Sequence, residues 1–146
     1  MVEKKLLEET INGLNLDLVW EYAAGIQYTQ HASVLRGAEY FAVIDELLEH
    51  AKEEFNHAKI LSEIIQFLGG VPVVEVAPRA TSKNNQEMLH QDLQGEYAAI
   101  RRYNERIRQL EQLGLYDSSQ RIREIIAEEQ EHAIDLEVAL GIEKLI

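Results

Sequence analysis

Two short motifs, Glu54-Phe55-Asn56-His57 and Glu129-Gln130-Glu131-His132, each place a carboxylate three residues before an imidazole. On a helix such a pair lies on one face. Another glutamate precedes each pair at one fixed distance: Glu21 stands 33 residues before Glu54, and Glu96 stands 33 residues before Glu129. The flanks recur as well. Glu21-Tyr22-Ala23-Ala24 matches Glu96-Tyr97-Ala98-Ala99, with Tyr28 and Tyr103 each seven residues after the glutamate. Asp17 and Asp92 come four residues before, and Ala58 and Ala133 follow the histidines. The chain therefore carries an internal repeat at an offset of 75 residues. Four carboxylates and two imidazoles in this order form the ligand set with which a four-helix bundle holds two iron ions.

A single mid-helix glutamate is ordinarily a solvated side chain, and a single histidine is ordinarily core or surface. The repeated set is different, because it falls on otherwise apolar stripes and an unpaired buried carboxylate is costly. Two neighbouring cations need shared carboxylates, a role that falls to Glu54 and Glu129. Glu21 and Glu96 then bind one ion each, and His57 and His132 each supply a nitrogen. Hard oxygen with imidazole suits iron or manganese better than a soft metal.

Other residues are placed around this set. Asp17 and Asp92, one turn before the terminal glutamates, are expected to accept hydrogen bonds from the far nitrogens of the ligand histidines. Glu53 and Glu128 are expected at the rim or behind the ligands. Tyr28 and Tyr103 read either as packing with a satisfied hydroxyl or as electron donors, Tyr28 being the better redox candidate. Trp20 reads as interface or core. His31 and His50 have no partner at ligand spacing and read as surface. Glu87 and His90 repeat the three-residue spacing, but Glu87 falls in the first turn of a helix, where it complements the dipole.

The elements that must position these residues follow from the apolar pattern. Leu6, Leu7, Ile11, Leu14, Leu18, Ala24 and Tyr28 recur at helical steps, giving a helix over about 4–35 that ends before Gly37. A second helix over about 38–68 stops at Gly69-Gly70-Val71-Pro72. A third covers about 84–112. Asp117-Ser118-Ser119-Gln120 reads as a capping box that opens a fourth, over about 117–140. The joins within each pair are short, so each pair is an antiparallel hairpin. Residues 69–83 hold both prolines and connect the hairpins. Extended, they reach roughly 50 Å, enough to pass a helix of roughly 44 Å. Val73, Val74 and Val76 are expected to form a short extended piece against the bundle. The fold class is all-α, a four-helix bundle of two hairpins and one long crossover, with residues 1–146 as one domain.

Composition narrows the function classes. The chain lacks cysteine, which excludes disulfides, thiolate zinc sites and iron–sulfur clusters. A formal net charge of −12 repels nucleic acid and attracts cations. No apolar run approaches a membrane span, and Met1-Val2-Glu3-Lys4-Lys5 leads straight into amphipathic pattern without a signal-peptide core. The expected compartment is the cytoplasm, with neither nucleic acid nor membrane as partner.

On these residues the chain resembles the ferritin-like superfamily and, within it, bacterioferritin. The likeness covers the Glu-to-Glu-x-x-His spacing in both halves, the tyrosine seven after the first ligand, and Phe67-Leu68-Gly69-Gly70-Val71-Pro72. It implies a ferroxidase that oxidises ferrous iron with dioxygen or peroxide and stores ferric mineral in a shell of copies built from dimers. Two iron ions per subunit are implied, with manganese or zinc able to substitute. Two departures carry expectations of their own. Bacterioferritin binds haem through a methionine directly after the bridging glutamate of its second helix; here that position is Phe55, so no haem is expected. The sequence runs only a few residues past the fourth helix, without the fifth helix of 24-subunit cages, so a 12-subunit shell or a smaller oligomer stands as an alternative to the 24-subunit one. A rubrerythrin likeness is weaker, since Cys-x-x-Cys is missing and Ala99 stands where that family has a further glutamate. The alternative function is a diiron or dimanganese oxidase or peroxidase that stores no mineral.

Overall fold

Apolar side chains at three- and four-residue steps fold into long helices in the computed structural model of the chain, which describes residues 2–144. These are α1 (Val2–Val34), α2 (Phe41–Phe67), α3 (Asn85–Gln112) and α4 (Tyr116–Leu140). A turn of 3-10 helix, Ala38–Tyr40, leads into α2. Helix α1 packs along α2, and α3 along α4; α1 also meets α3, and α2 meets α4. The result is a square bundle of two hairpins, and no strand occurs among the described residues.

The helix ends have local causes. Asn84 caps α3, its Oδ1 accepting from the Glu87 amide at 2.9 Å. Gly114, at φ 71°, takes the left-handed conformation that ends α3 and turns the chain into α4. The capping box expected at Asp117 does not form. Helix α4 starts at Tyr116 after Leu115, which makes no side-chain cap. Ser118 and Ser119 are buried in its first turn instead, and Ser119 Oγ donates to Glu111 at 3.2 Å.

The crossover adopts no strand, contrary to the expectation for Val73, Val74 and Val76. It lies along α1 and takes its hydrogen bonds from that helix. Asn15 brackets it at Val71 and Val73, the Ala77 amide donates to the Val19 carbonyl at 3.1 Å, and Gln27 accepts from the Ala80 amide at 2.9 Å. An exposed helix face with regularly placed polar side chains thus replaces a sheet partner for this backbone.

The core is split. One cluster, around Leu14, Leu18, Leu61, Ile65, Leu110 and Ile122, fills one end of the bundle. A second, around Leu35, Leu47, Met88, Leu89, Leu93 and Leu136, fills the other. On every helix the boundary between the two falls at a glutamate: Glu21, Glu54, Glu96 and Glu129, all buried. The apolar ends leave a polar band at mid-bundle.

Candidate metal centre

The six residues of the repeated motif meet in that band, each no more than 2% exposed. Their donor atoms form two overlapping groups. Glu21, Glu54, His57 and Glu129 make one; Glu54, Glu96, Glu129 and His132 make the other. Within each group the atoms lie within 4.8 Å of one another, and Glu54 and Glu129 belong to both. The two imidazoles turn Nδ1 inward. His57 Nδ1 stands 3.3 Å from Glu129, 3.5 Å from Glu54 and 3.6 Å from Glu21. His132 Nδ1 stands 3.1 Å from Glu96, 3.2 Å from Glu54 and 3.4 Å from Glu129.

Four buried carboxylates this close cannot all stay charged without cations between them. Burial, followed by the charges of Glu129, Glu21 and Glu96, pushes the Glu54 carboxyl well above its ordinary range. Burial and Glu129 do the same to Glu96, and both also raise Glu21. Glu129 goes the other way. Burial would raise it, but the His132 and His57 rings hold it far below. Burial likewise works against charged rings at His57 and His132. Their contacts with Glu129 and the other three carboxylates nevertheless carry both well above the usual imidazole value.

The residues fit a pair of cations. Glu21 Oε2, Glu54 Oε1, His57 Nδ1 and both oxygens of Glu129 are buried without a hydrogen-bond partner. Buried polar atoms are ordinarily satisfied, so five orphans turned on one spot call for ligands. Hard oxygen donors with two imidazoles suit iron or manganese.

The distal nitrogens show where the expectations need correcting. His57 Nε2 is held by Glu128 at 2.8 Å, and His132 Nε2 by Glu53 at 2.8 Å. Asp17 and Asp92 do not touch these rings. Asp17 is clasped by Arg106, at 2.7 and 3.2 Å, with Arg102 at 3.4 Å. Asp92 receives His31 Nδ1 at 2.9 Å and Gln27 Nε2 at 3.0 Å. The guanidinium of Arg106 occupies space that only a glycine leaves, since a Cβ on Gly13 would lie 2.2 Å from Arg106. His31 and His50, expected on the surface, are buried. Burial and the neighbouring His132 lower His50 to about 4, against the pull of Asp135.

The tyrosines differ from one another. Tyr103 donates its hydroxyl to Glu21. Tyr28 is buried with no partner for its hydroxyl, its ring edge-on to His50 at 5.0 Å and to His132 at 6.2 Å. Trp20 is partly exposed beneath the Arg102 guanidinium, 5.4 Å from the ring centre. Both lie at a cavity of about 390 Å³ between α1, α3 and the crossover, which runs past Ala24, Gly95 and Ala98 to Glu21, Glu54, Glu96 and Glu129. Glu87 is exposed in the first turn of α3, away from the band.

Residues 11–146 match the family model described as Ferritin-like domain. The chain belongs to the ferritin-like family. Among its relatives, a bacterioferritin of Brucella melitensis biotype 1 is 34% identical over 135 residues, covering 92% of this chain and 84% of the relative. A bacterial ferritin of Synechocystis sp. is 33% identical over 128 residues, covering 86% and 82%. A crystal structure of ferritin like, diiron-carboxylate proteins from Bacillus anthracis str. Ames superimposes with a TM-score of 0.89 at 31% identity, covering 92% of this chain and 97% of that one. The all-α ferritin-like bundle expected from the sequence is therefore shown, and so is the likeness to bacterioferritin.

Within this ferritin-like chain the residues at the distal nitrogens, expected at the rim or behind the ligands, are also marked by the repeat. Glu53 and Glu128 directly precede the two shared glutamates and are themselves related by the 75-residue offset. The same offset links His31 to Arg106, the partners of Asp92 and Asp17. Each aspartate thus meets, from the opposite helix, the repeat-mate of the other's partner.

Proposed function

We propose that this chain is a ferroxidase that stores or detoxifies iron. Two ferrous ions are the substrate. Glu21, Glu54, His57 and Glu129 hold one, and Glu54, Glu96, Glu129 and His132 hold the other. The observation that carries this reading is the pair of overlapping ligand groups sharing Glu54 and Glu129, with five unpartnered donor atoms between them. Two ferrous ions give up one electron each, and dioxygen with two protons becomes hydrogen peroxide; alternatively peroxide with two protons becomes two waters. The carboxyls and imidazoles that lose protons on binding the ions supply a local source of those protons. When a single ferrous ion is bound, Tyr28, whose ring lies edge-on to His132 at 6.2 Å, would supply the second electron with its phenolic proton in the reduction of peroxide to water; Tyr103 donates its hydroxyl to Glu21 and holds it in position. Ferric product collects as mineral inside an assembly of copies, with dimers as building blocks.

Anaerobic ferrous titration tests the site: a break at about two ions per chain is expected, and a break at one, or none, overturns it. Sedimentation of the iron-loaded protein then reports assembly size and mineral mass together.

A second reading draws on the cavity of about 390 Å³ that reaches the four glutamates. Room of this size beside a metal pair suits a small organic substrate in a diiron or dimanganese oxidase. A chain that oxidises iron yet sediments without mineral favours that second reading.

A further inference from the structure

A second polar cluster lies in the seam between α2 and α4, outside the central six. Glu46 and His50 stand one turn apart on α2, and Asp135 faces them from α4. One donor atom from each lies within 4.8 Å of the others. His50 Nε2 is 3.1 Å from Asp135 Oδ2. Two ligands about 2.1 Å from one cation at a right angle are separated by about 3.0 Å, so this spacing is already that of a coordination edge.

The imidazole is fixed in place. His50 is 2% exposed, its ring stacks on His132 at 4.0 Å, and Tyr28 meets it edge-on at 5.0 Å. Its Nδ1 has no partner, so the ring's one polar contact is toward Asp135. A cleft of about 250 Å³ opens there, lined by Val43, Leu47 and Val138 around the three polar groups. Asp135 has a side chain 42% exposed and Glu46 is exposed, so a hydrated ion can enter and keep water ligands.

The internal repeat shows that packing does not require this cluster. At the 75-residue offset, His50 corresponds to Ile125, Asp135 to Ile60 and Glu46 to Arg121. At that other end of the seam Ile125 is buried core, Ile60 packs against it, and Arg121 pairs with Glu63 at 2.8 Å. The positions of His50 and Asp135 are thus filled by two isoleucines at the other end, while that of Glu46 holds a surface arginine. Burying an imidazole where an isoleucine serves equally well costs stability unless the ring has a task.

The geometry points to Glu46, His50 and Asp135 as a third divalent-metal site in each chain. One imidazole, two carboxylates and water suit a first-row transition cation such as ferrous iron, zinc or cobalt, and the open cleft makes it weaker than the buried pair. An ion there is separated from the central cluster by one imidazole stack, His50 on His132.

The test counts ions rather than turnover, so it stands or falls separately from the ferroxidase reading. Anaerobic calorimetric titration of the whole protein with cobalt(II) should give three ions per chain, and anomalous diffraction from zinc-soaked crystals should place the third at His50 Nε2. Glu46→Gln and Asp135→Asn, both solvent-facing, should each weaken the third step at least tenfold, leave two ions and preserve the thermal midpoint. His50→Leu should abolish the third step. Two ions in the wild type, or a third ion that persists at wild-type affinity in both Glu46→Gln and Asp135→Asn, overturns the proposal.

Discussion

Removing Glu53 or Glu128 separates the carboxylates that hold the ligand histidines from those that only appear to. Each makes a 2.8 Å contact to a distal nitrogen, and the contacts cross between helices: Glu53 of α2 holds His132, and Glu128 of α4 holds His57. Losing such a partner typically costs 10- to 100-fold in metal affinity. Here the side chains are 37% and 41% exposed, so water screens the contact and replaces part of it. The low end applies, about tenfold or about 1.4 kcal/mol. Because the contacts cross, Glu53→Ala should weaken the ion held by Glu96 and His132, and Glu128→Ala the ion held by Glu21 and His57. Asp17→Ala should behave oppositely. It leaves Arg106, 5% exposed, without its buried counter-charge, so stability should fall by about 3 kcal/mol while metal affinity changes little. Anaerobic cobalt titration resolves the two central steps, and metal-free urea melts give the stability. If Asp17→Ala loses an ion's affinity tenfold while Glu53→Ala binds like wild type, the assignment of roles is refuted.

Three further outcomes are expected. Cation binding at the centre should release protons and tighten as pH rises. In the metal-free form Glu21, Glu54, Glu96, His57 and His132 all hold protons more firmly than usual, and each must give its proton up to become a ligand; titrations in buffers of different ionisation enthalpy measure the release. Glu54→Gln should nearly abolish rapid ferrous oxidation in stopped flow. It should also leave the metal-free thermal midpoint at or above wild type, because it removes one of four crowded carboxyls. Glu87→Ala should do the reverse, sparing the rate and costing at most about 1 kcal/mol through the helix dipole. Protein purified from haem-replete cells should show no Soret band, since Phe55 offers no thioether at the position where bacterioferritin carries its haem ligand.

The sequence was legible where a single helix carries the signal. Helical periodicity gave the four elements, and the three-residue spacing put Glu54 beside His57 and Glu129 beside His132 on one face. The repeat supplied the remaining pair, because Glu21 and Glu96 recur with their flanks. What stayed hidden were contacts made between helices. Asp17 and Asp92 sit one turn from the terminal glutamates, and proximity along one helix made them look like partners of the ligand histidines. Their side chains instead reach across to Arg106 and His31 on the facing helix. The capping box failed for a similar reason: Ser118 and Ser119 are buried, Ser119 reaching Glu111 of α3, and the cap falls at Leu115, two residues before Asp117.

The repeat also organises the contacts between helices. The 75-residue offset carries each of these contacts onto its mate: Glu53–His132 onto Glu128–His57, and Asp17–Arg106 onto Asp92–His31. Glu53 and Glu128 keep both residue type and role, and His31 and Arg106 differ in type but each still pairs with the aspartate of the facing helix. Residues that break the offset then become the informative ones. His50 against Ile125 is a buried imidazole at the position where the other end of the bundle has a buried isoleucine. Symmetry at mid-bundle fits the proposed pair of like cations between like ligands. Asymmetry at one end of the α2–α4 seam cannot follow from that demand, and this is the physical ground for assigning His50, Glu46 and Asp135 a ligand of their own.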